Sequence, residues 1–410
     1  MAAGNKKLHI LLLHQAFVAL DEAGGTRHYE FARYLAERGY TVTVITSPVS
    51  YLTGEEARET TAQIEGLTIL RAATYRGLHR SFVQRLFSFF SFTISSFFVG
   101  MRVKNVDLVW GTSPPLFQAF TAWALARIKH VPFLFEVRDL WPAFAVAVGV
   151  LRSPTLIAAS GWLERFLYQR ADRLVLNSPG FEEHVKARGG RETRIVPNGS
   201  DAAMFDPNSD GEEFREQFAL RDKFIVLYAG AHGLSNDLGV VLNAAEELKN
   251  DPNICVVLLG DGKDKPVLQE QAAKMKLDNV HFLPPMPKAQ MAQALAAADA
   301  CLAILKPLKL YGTVYPNKVF DYMAAGRPVI LAIDGVIRKV VEDSGVGVFV
   351  QPGESAALAA AIRKLASNPV EAKRMGKAGR AYLEKHFNRP VLARQMEKVL
   401  RETVEAARKR

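Results

Sequence analysis

Short apolar runs closed by Gly, Pro or Asn alternate with longer stretches of helical period along the first half of the chain. The runs are Ile10–Leu13, Thr41–Ile45, Asp107–Trp110, Phe133–Glu136 and Arg173–Leu176. Unbroken apolar runs suit strands covered on both faces, and their alternation with helices predicts a parallel α/β sheet. After an interruption the rhythm restarts with Phe224–Tyr228, Ile254–Leu259, Val280–Phe282, Ala300–Ile304, Pro328–Ala332 and Val346–Phe349. This predicts two doubly wound α/β domains facing a cleft. Turn formers cluster at Val196-Pro-Asn-Gly199 and Phe205-Asp-Pro207, which places the boundary at about residue 205. Helical patterns at Ser355–Ala366, Val370–Phe387 and Val391–Lys409 come after the last strand, and the break at Asn388-Arg389-Pro390 lets the final helix turn back to the first domain. The expected domains are therefore 1–205 with 390–410, and 206–389.

A length of 410 residues supports two or three domains with proper cores. Apolar residues at 49% and charged residues at 23% exclude a disordered chain, a fibre and a polytopic membrane protein. The formal charge of +10 favours anionic partners: nucleotide sugars, lipid headgroups or nucleic acid. Cys255 and Cys301 both sit in apolar runs, so no disulfide framework is expected and a reducing cytoplasm fits. The first residues run straight into the strand-like 8–13 segment, too short for a signal peptide, so export is not expected.

From Gly66 to Val106 Asp and Glu are absent, while Arg71, Arg76, Arg80, Arg85, Arg102 and Lys104 bracket a run rich in Phe. The uncharged stretch, 86–101, is shorter than the roughly 20 residues of a spanning helix. An interfacial helix pair on an anionic membrane is expected, with Phe87, Phe89 and Phe90 at the acyl boundary and Arg85 at the phosphates. Two helices packed on the sheet would show the same pattern.

His14 follows the first strand, and Gly24-Gly25-Thr26-Arg27-His28 precedes a helix, where glycines let a ligand approach backbone N–H groups. The spacing fails G-x-G-x-x-G, which removes support from a nicotinamide enzyme. Glu136, Arg138, Asp139 and Trp141 cluster just beyond a strand, at the carboxyl edge where open α/β sheets bind ligands. An Arg138–Asp139 ion pair that only fixes the loop is compatible with the same residues. In the second half, Tyr228-Ala-Gly230-Ala-His232-Gly233 reads as a strand, a phosphate-cradling turn and a helix start. Asn317, Lys318 and Asp321 open a helix that begins after a proline and ends at Gly326. Lys318 and Asp321 share a face, which suits a phosphate and ribose hydroxyls, or else a surface salt bridge.

Taken in order along nearly the whole chain, these segments resemble the retaining glycosyltransferases of family 4, with the GT-B fold of two Rossmann-like domains. The carrying residues are Gly24-Gly25, Val196 through Pro207, Leu259-Gly-Asp-Gly262, Phe282-Leu283 and Lys318 through Pro328. His28-Tyr-Glu30 and Arg138-Asp-Leu-Trp-Pro142 look most like the WbuB-type subgroup of O-antigen and capsule assembly. The resemblance implies a nucleotide-diphosphate sugar donor, UDP favoured, and a lipid-linked polyprenyl-diphosphate saccharide acceptor. It implies a peripheral enzyme on the inner face of the plasma membrane.

By the same resemblance, Lys318 neutralises the donor diphosphate, Asp321 holds the ribose, and Gly25, Gly230, His232 and Gly233 approach the donor. The backbone at Leu283 and Pro284 reads the base, with Asn317 beside it. Arg27, His28, Arg138 and Trp141 fall to the acceptor. Relatives carry basic residues where this chain has Asn236, Asp237 and Leu238, and an acid where it has Thr313.

Departure of a diphosphate makes electrostatic stabilisation of the leaving group the main catalytic demand. No Asp-x-Asp motif occurs, so neither a metal nor a cofactor is expected. Asp139 is the first choice for orienting the acceptor or handling its proton, followed by Glu136 and His14. A sugar-nucleotide epimerase and a non-catalytic anion-binding protein are the alternatives. Nucleic acid is not an expected partner, because the aromatics crowd one apolar segment and no recognition motif appears.

Overall fold

The computed structural model describes residues 7–22, 24–49, 56–57, 59–76, 82–288 and 290–409; Arg80 of the basic bracket and the first six residues lie outside them. The chain forms two compact units, one with the first strand, Gly24–Pro197 and Leu392–Arg410, the other built on Asn198–Val391. The change of unit falls at the first turn cluster and not at residue 205. Asn198 donates its side-chain amide to the Tyr315 carbonyl at 2.8 Å, and Phe205 is buried in the second unit's core, so this stretch packs with the later half of the chain.

In the first unit the strands are β1 (His9–Leu13), β2 (Thr41–Thr46), β3 (Thr61–Ile64), β4 (Leu67–Arg71), β5 (Leu108–Ser113), β6 (Phe133–Val137), β7 (Arg173–Leu176) and β8 (Thr193–Ile195). They form one sheet in the order β3-β4-β2-β1-β5-β6-β7-β8, parallel except for the antiparallel β3–β4 pair. The pattern of apolar runs misses β3, β4 and β8. The first two form a hairpin on an edge whose side chains are partly solvated, joined by Glu65 and Gly66 at positive φ, and β8 is a short edge strand.

The second unit holds β9 (Phe224–Ala229), β10 (Ile254–Leu259), β11 (Val280–Leu283), β12 (Ala300–Ile304), β13 (Val329–Ala332) and β14 (Gly347–Phe349). All are parallel, in the order β11-β10-β9-β12-β13-β14. Along β9, Ile225, Leu227 and Ala229 enter the core on one face of the sheet, while Val226 and Tyr228 enter the core on the other. Burial on both faces is why these strands read as unbroken apolar runs.

The expected helix pair in the aromatic segment is instead a single helix, Phe82–Arg102. Ser88, Phe92, Ser96 and Gly100 repeat every fourth residue and are buried. A Cβ at Gly100 would stand 2.4 Å from Leu125 Cδ1, so the small residues let this helix press against helix Leu116–Lys129. With one side buried, the helix keeps its period through its whole length. Among the described residues no helix is long and apolar enough to cross a membrane.

Helix Arg389–Arg408 packs on the first unit. It buries Leu392, Met396 and Leu400, accepts the Tyr40 hydroxyl on Glu397 at 2.9 Å, and pairs Arg408 with Asp107 at 3.2 Å.

Candidate active site

Strand β9 carries the chain into Gly230, and the helix Asn317–Ala324 aims Lys318 at that turn. The Lys318 ammonium is buried, lies 3.8 Å from the centre of the Tyr228 ring, and has no hydrogen-bond partner among the described residues. Gly230 has a positive φ of 151° that favours glycine, and a Cβ there would come within 2.7 Å of Nζ and displace the tip of the lysine. Burial draws the Lys318 pKa down to about 7. An unpaired buried cation is costly, and it can titrate or find an anion. His232, fully buried between the Tyr228 and Phe282 rings, likewise has both ring nitrogens unpartnered among the described residues. Burial, helped by Lys265, lowers its pKa to about 4 against the opposing pull of Asp261.

The turn is braced more tightly than a free phosphate cradle. Gly230 N–H donates to the Leu259 carbonyl at 2.9 Å and His232 N–H to the Asp261 carbonyl at 2.8 Å, so two of the expected phosphate donors are occupied. Gly260 faces Gly230 so closely that a Cβ there would lie 1.9 Å from the Gly230 oxygen. Lys265, which carries no signal in the sequence pattern, ties the turns together by donating to the carbonyls of Gly260 at 2.7 Å and Leu283 at 2.9 Å. The Leu283 carbonyl also accepts from Gly260 N–H at 3.2 Å, so it is engaged within the fold and not open to a base; Pro284 beside it is exposed.

Asp321 does not stand free on its helix. Its carboxylate takes the Lys288 ammonium at 2.5 Å, the Ser200 hydroxyl at 2.6 Å and the Asn317 amide at 3.2 Å. Lys288 comes after a proline-rich turn, with no sequence cue that it is a partner. Gly233 is half-buried beside this turn. In the first unit Gly25 is exposed, and a Cβ there would touch nothing among the described residues, so packing does not require glycine.

At the carboxyl edge of the first sheet, Glu136 is fully buried and bound on three sides. It accepts from Arg27 Nε at 2.7 Å, His28 Nε2 at 2.9 Å and Trp110 Nε1 at 3.0 Å. Burial alone would raise its pKa; Arg27, His28 and Arg138 outweigh that and hold the carboxyl well below the usual range. Arg27 also donates to the carbonyls of Val196 and Pro197, at 2.6 Å each. Glu136, Arg27 and His28 thus form an internal knot. These bonds fix the three side chains against the strand ends and leave them little freedom to turn toward a ligand.

Arg138 and Asp139 sit at the exposed side of that knot and are half-buried. Arg138 donates to Thr112 Oγ1, to the Ser113 carbonyl and to His14 Nε2, each at 3.0 Å. A guanidinium only donates, so His14 is neutral with its proton on Nδ1. Burial first, then Arg138 and His28, keep the His14 pKa well below its ordinary value. For Asp139 burial pushes the pKa up to about 7 against the opposing pull of Arg138 and a Leu140 backbone bond, which makes it the group of this edge poised to exchange a proton near neutrality. Trp141 is half-buried, its ring 6.5 Å from Phe117. Of the aromatic set, Phe87 and Phe90 face outward, whereas Phe89 and Arg85 lie half-buried on the flanks of their helix. Among the described residues no group of three or more His, Cys, Asp and Glu is placed to hold a metal.

Residues 23–199 match the family described as glycosyl transferase 4-like domain, and residues 210–382 match glycosyl transferases group 1. The chain is 25% identical over 384 residues to an Escherichia coli (strain K12) protein named colanic acid biosynthesis glycosyl transferase WcaI, covering 89% of this chain and 93% of that one. Its fold is similar to that of sucrose-phosphate synthase from Thermosynechococcus elongatus, with a TM-score of 0.79, 20% identity, and coverage of 98% and 100% of the two chains. Anabaena Alr3699/HepE in complex with UDP-glucose has a TM-score of 0.73 at 18% identity, covering 96% of this chain and 100% of that one. With a glycosyl transferase 4-like domain in its first half and a group 1 domain in its second, this chain is a glycosyltransferase of the GT-B fold.

Proposed function

We propose that the protein transfers a sugar, with retention at the anomeric carbon, from a UDP-sugar to a lipid-linked saccharide during assembly of a bacterial surface polysaccharide. It works without a metal, as a peripheral protein on the inner face of the plasma membrane. The observation that carries this reading is the buried ammonium of Lys318, which faces the turn after β9 and has no hydrogen-bond partner among the described residues. A diphosphate supplies the anion that this cation lacks. The names of WcaI, for colanic acid biosynthesis, and of the UDP-glucose complex of HepE support the surface-polysaccharide setting and the donor.

In this reaction the bond from the anomeric carbon to the donor phosphate breaks with its electrons going to UDP, and the acceptor oxygen bonds the same face of that carbon. The acceptor proton passes to the departing phosphate. Lys318 stabilises the charge that builds on the leaving group, where a preorganised donor in a dry site is worth most. Asp139, with its pKa near 7, orients the acceptor hydroxyl, and Arg138 and Trp141 line its approach. Asp321 holds the ribose through the oxygen that faces Asn317, while Lys288 fixes the other.

A thermal-shift comparison tests the donor. UDP at 100 times its dissociation constant should add about 2.7 kcal/mol of apparent stability to the wild type, and Lys318→Ala should abolish most of it. Stabilisation by GDP instead would replace the base, and equal UDP stabilisation of the Lys318→Ala variant would remove the lysine from the donor site.

A further inference from the structure

Three helices lie side by side on one face of the first sheet: Phe82–Arg102, Leu116–Lys129 and Pro154–Arg170, with the middle one packed against both others. The first exposes Phe87, Phe90, Ile94, Phe98 and Met101, a stripe at helical spacing that points away from the protein. The surface does not end there. Phe120 and Ile128 are exposed on the middle helix, and Leu156 and Trp162 on the third, where Trp162 is 61% exposed. Aromatic rings join the helices: Phe90 meets Phe117 at 4.7 Å, Phe120 meets Phe166 at 6.2 Å, and Trp162 stacks on Phe166 at 5.4 Å. So broad a set of exposed apolar side chains marks an interaction face.

Charge selects the partner. Across the three helices the single acid is Glu164, which is buried and held by His184 at 2.7 Å and Arg188 at 2.9 Å. Arg102, Arg127, Arg165 and Arg170 are all exposed. A face of rings and aliphatics edged by cations, with no exposed acid on its helices, complements an anionic surface and repels a second copy of itself. Tryptophan suits the boundary between headgroups and acyl chains.

We infer that the whole three-helix face, and not the 82–102 helix alone, seats on an anionic lipid bilayer, with Trp162 as a second anchor. This deepens the peripheral-membrane reading above and rests on it. The middle helix packs against both helices that carry the anchors, which joins them in one rigid face. Apolar burial supplies the depth, and the arginines supply attraction to the headgroups.

The test uses the full chain with phosphatidylglycerol vesicles and with phosphatidylcholine vesicles. The wild type should sediment with the former and release at high salt. Trp162→Ser should weaken partitioning about tenfold or more, the scale of exposing one buried large apolar side chain. Trp162→Phe should retain most of the binding, and Arg165→Glu should weaken it about fivefold, as expected for a cation near a charged surface. Brominated phosphatidylglycerol should quench wild-type fluorescence more than that of Trp162→Ser.

Undiminished vesicle binding by Trp162→Ser, when Phe90→Ser abolishes it, would confine docking to the 82–102 helix and overturn the inference. A wild-type dimer in sedimentation, converted to monomer by Trp162→Ser, would overturn it in favour of self-association. A UDP thermal shift on each variant separates the two claims. Lost vesicle binding with an intact UDP response isolates docking, whereas vesicle binding without any nucleotide response leaves docking standing and sinks the donor reading.

Discussion

The carboxyl edges of the two sheets treat charge in opposite ways. In the first unit Arg27, His28 and Trp110 all donate to Glu136 and Arg27 also donates to two carbonyls, which leaves only the His28 Nδ1 of this set without a partner among the described residues. In the second, the Lys318 ammonium and the His232 ring are buried and have no hydrogen-bond partner among the described residues. A closed network holds backbone in place, because removing any member strands the others. An open one costs stability and gains it back when an anion arrives. Glu136, Arg27 and Lys318 all stand out in the sequence as charged residues near strand ends, yet only the first two find oppositely charged or carbonyl partners within their unit among the described residues.

The sharpest way to break this contrast is Glu136→Gln, which keeps volume but removes the charge from the closed network. Loss of about 3–5 kcal/mol in denaturant unfolding is expected, the usual cost of breaking a buried pair. A loss near zero would mean the knot is not structural. Next is Lys318→Ala, expected to lower turnover by about 10²–10³ without a matching loss of fold, the scale of one preorganised charge-stabilising donor. The volume-conserving Lys318→Met should leave the melting temperature equal or higher, since it removes an unpaired cation. A large drop in stability would place Lys318 with the closed network.

The smallest effect is a pair of opposite pH slopes. The folded pKa of Lys318 is about 7, below its ordinary value of 10.5, so the unfolded chain binds the extra proton between those limits. The contribution of this group to ligand-free stability therefore rises as pH increases from about 7. Under the donor role proposed for Lys318, UDP needs the ammonium form, so its affinity should fall over the same range, by up to about tenfold per pH unit once the lysine is neutral. Calorimetric titration of wild type and Lys318→Met checks both, because the variant should lose each slope at this range.

Much of the fold is legible in the sequence because its signals are local. Strands such as Ile254–Leu259 are buried on both faces, so their composition announces them. The hairpin at Thr61–Arg71 is hidden because an edge needs no continuous apolar run, and its Glu65-Gly66 turn is a weak cue. The aromatic segment reads as two helices when only its content, and not its buried side, is visible. Ser88, Ser96 and Gly100 look like interruptions until Leu125 is found pressed against Gly100.

The same division runs through the candidate residues at the edge of each sheet. Lys318 could be chosen from its helix start and its separation from Asp321, since both are matters of spacing along one element. That Asp321 would be held by Lys288 and Ser200, or that Glu136 would be enclosed by Arg27, His28 and Trp110, could not, because those partners are far away in the chain. Periodicity, composition and turn chemistry act between neighbours, so the strands and most helices come from residue order alone. Which charges end up satisfied depends on contacts made only after each sheet forms, and that pairing sets Glu136, held by distant partners, apart from Lys318, whose ammonium has none among the described residues.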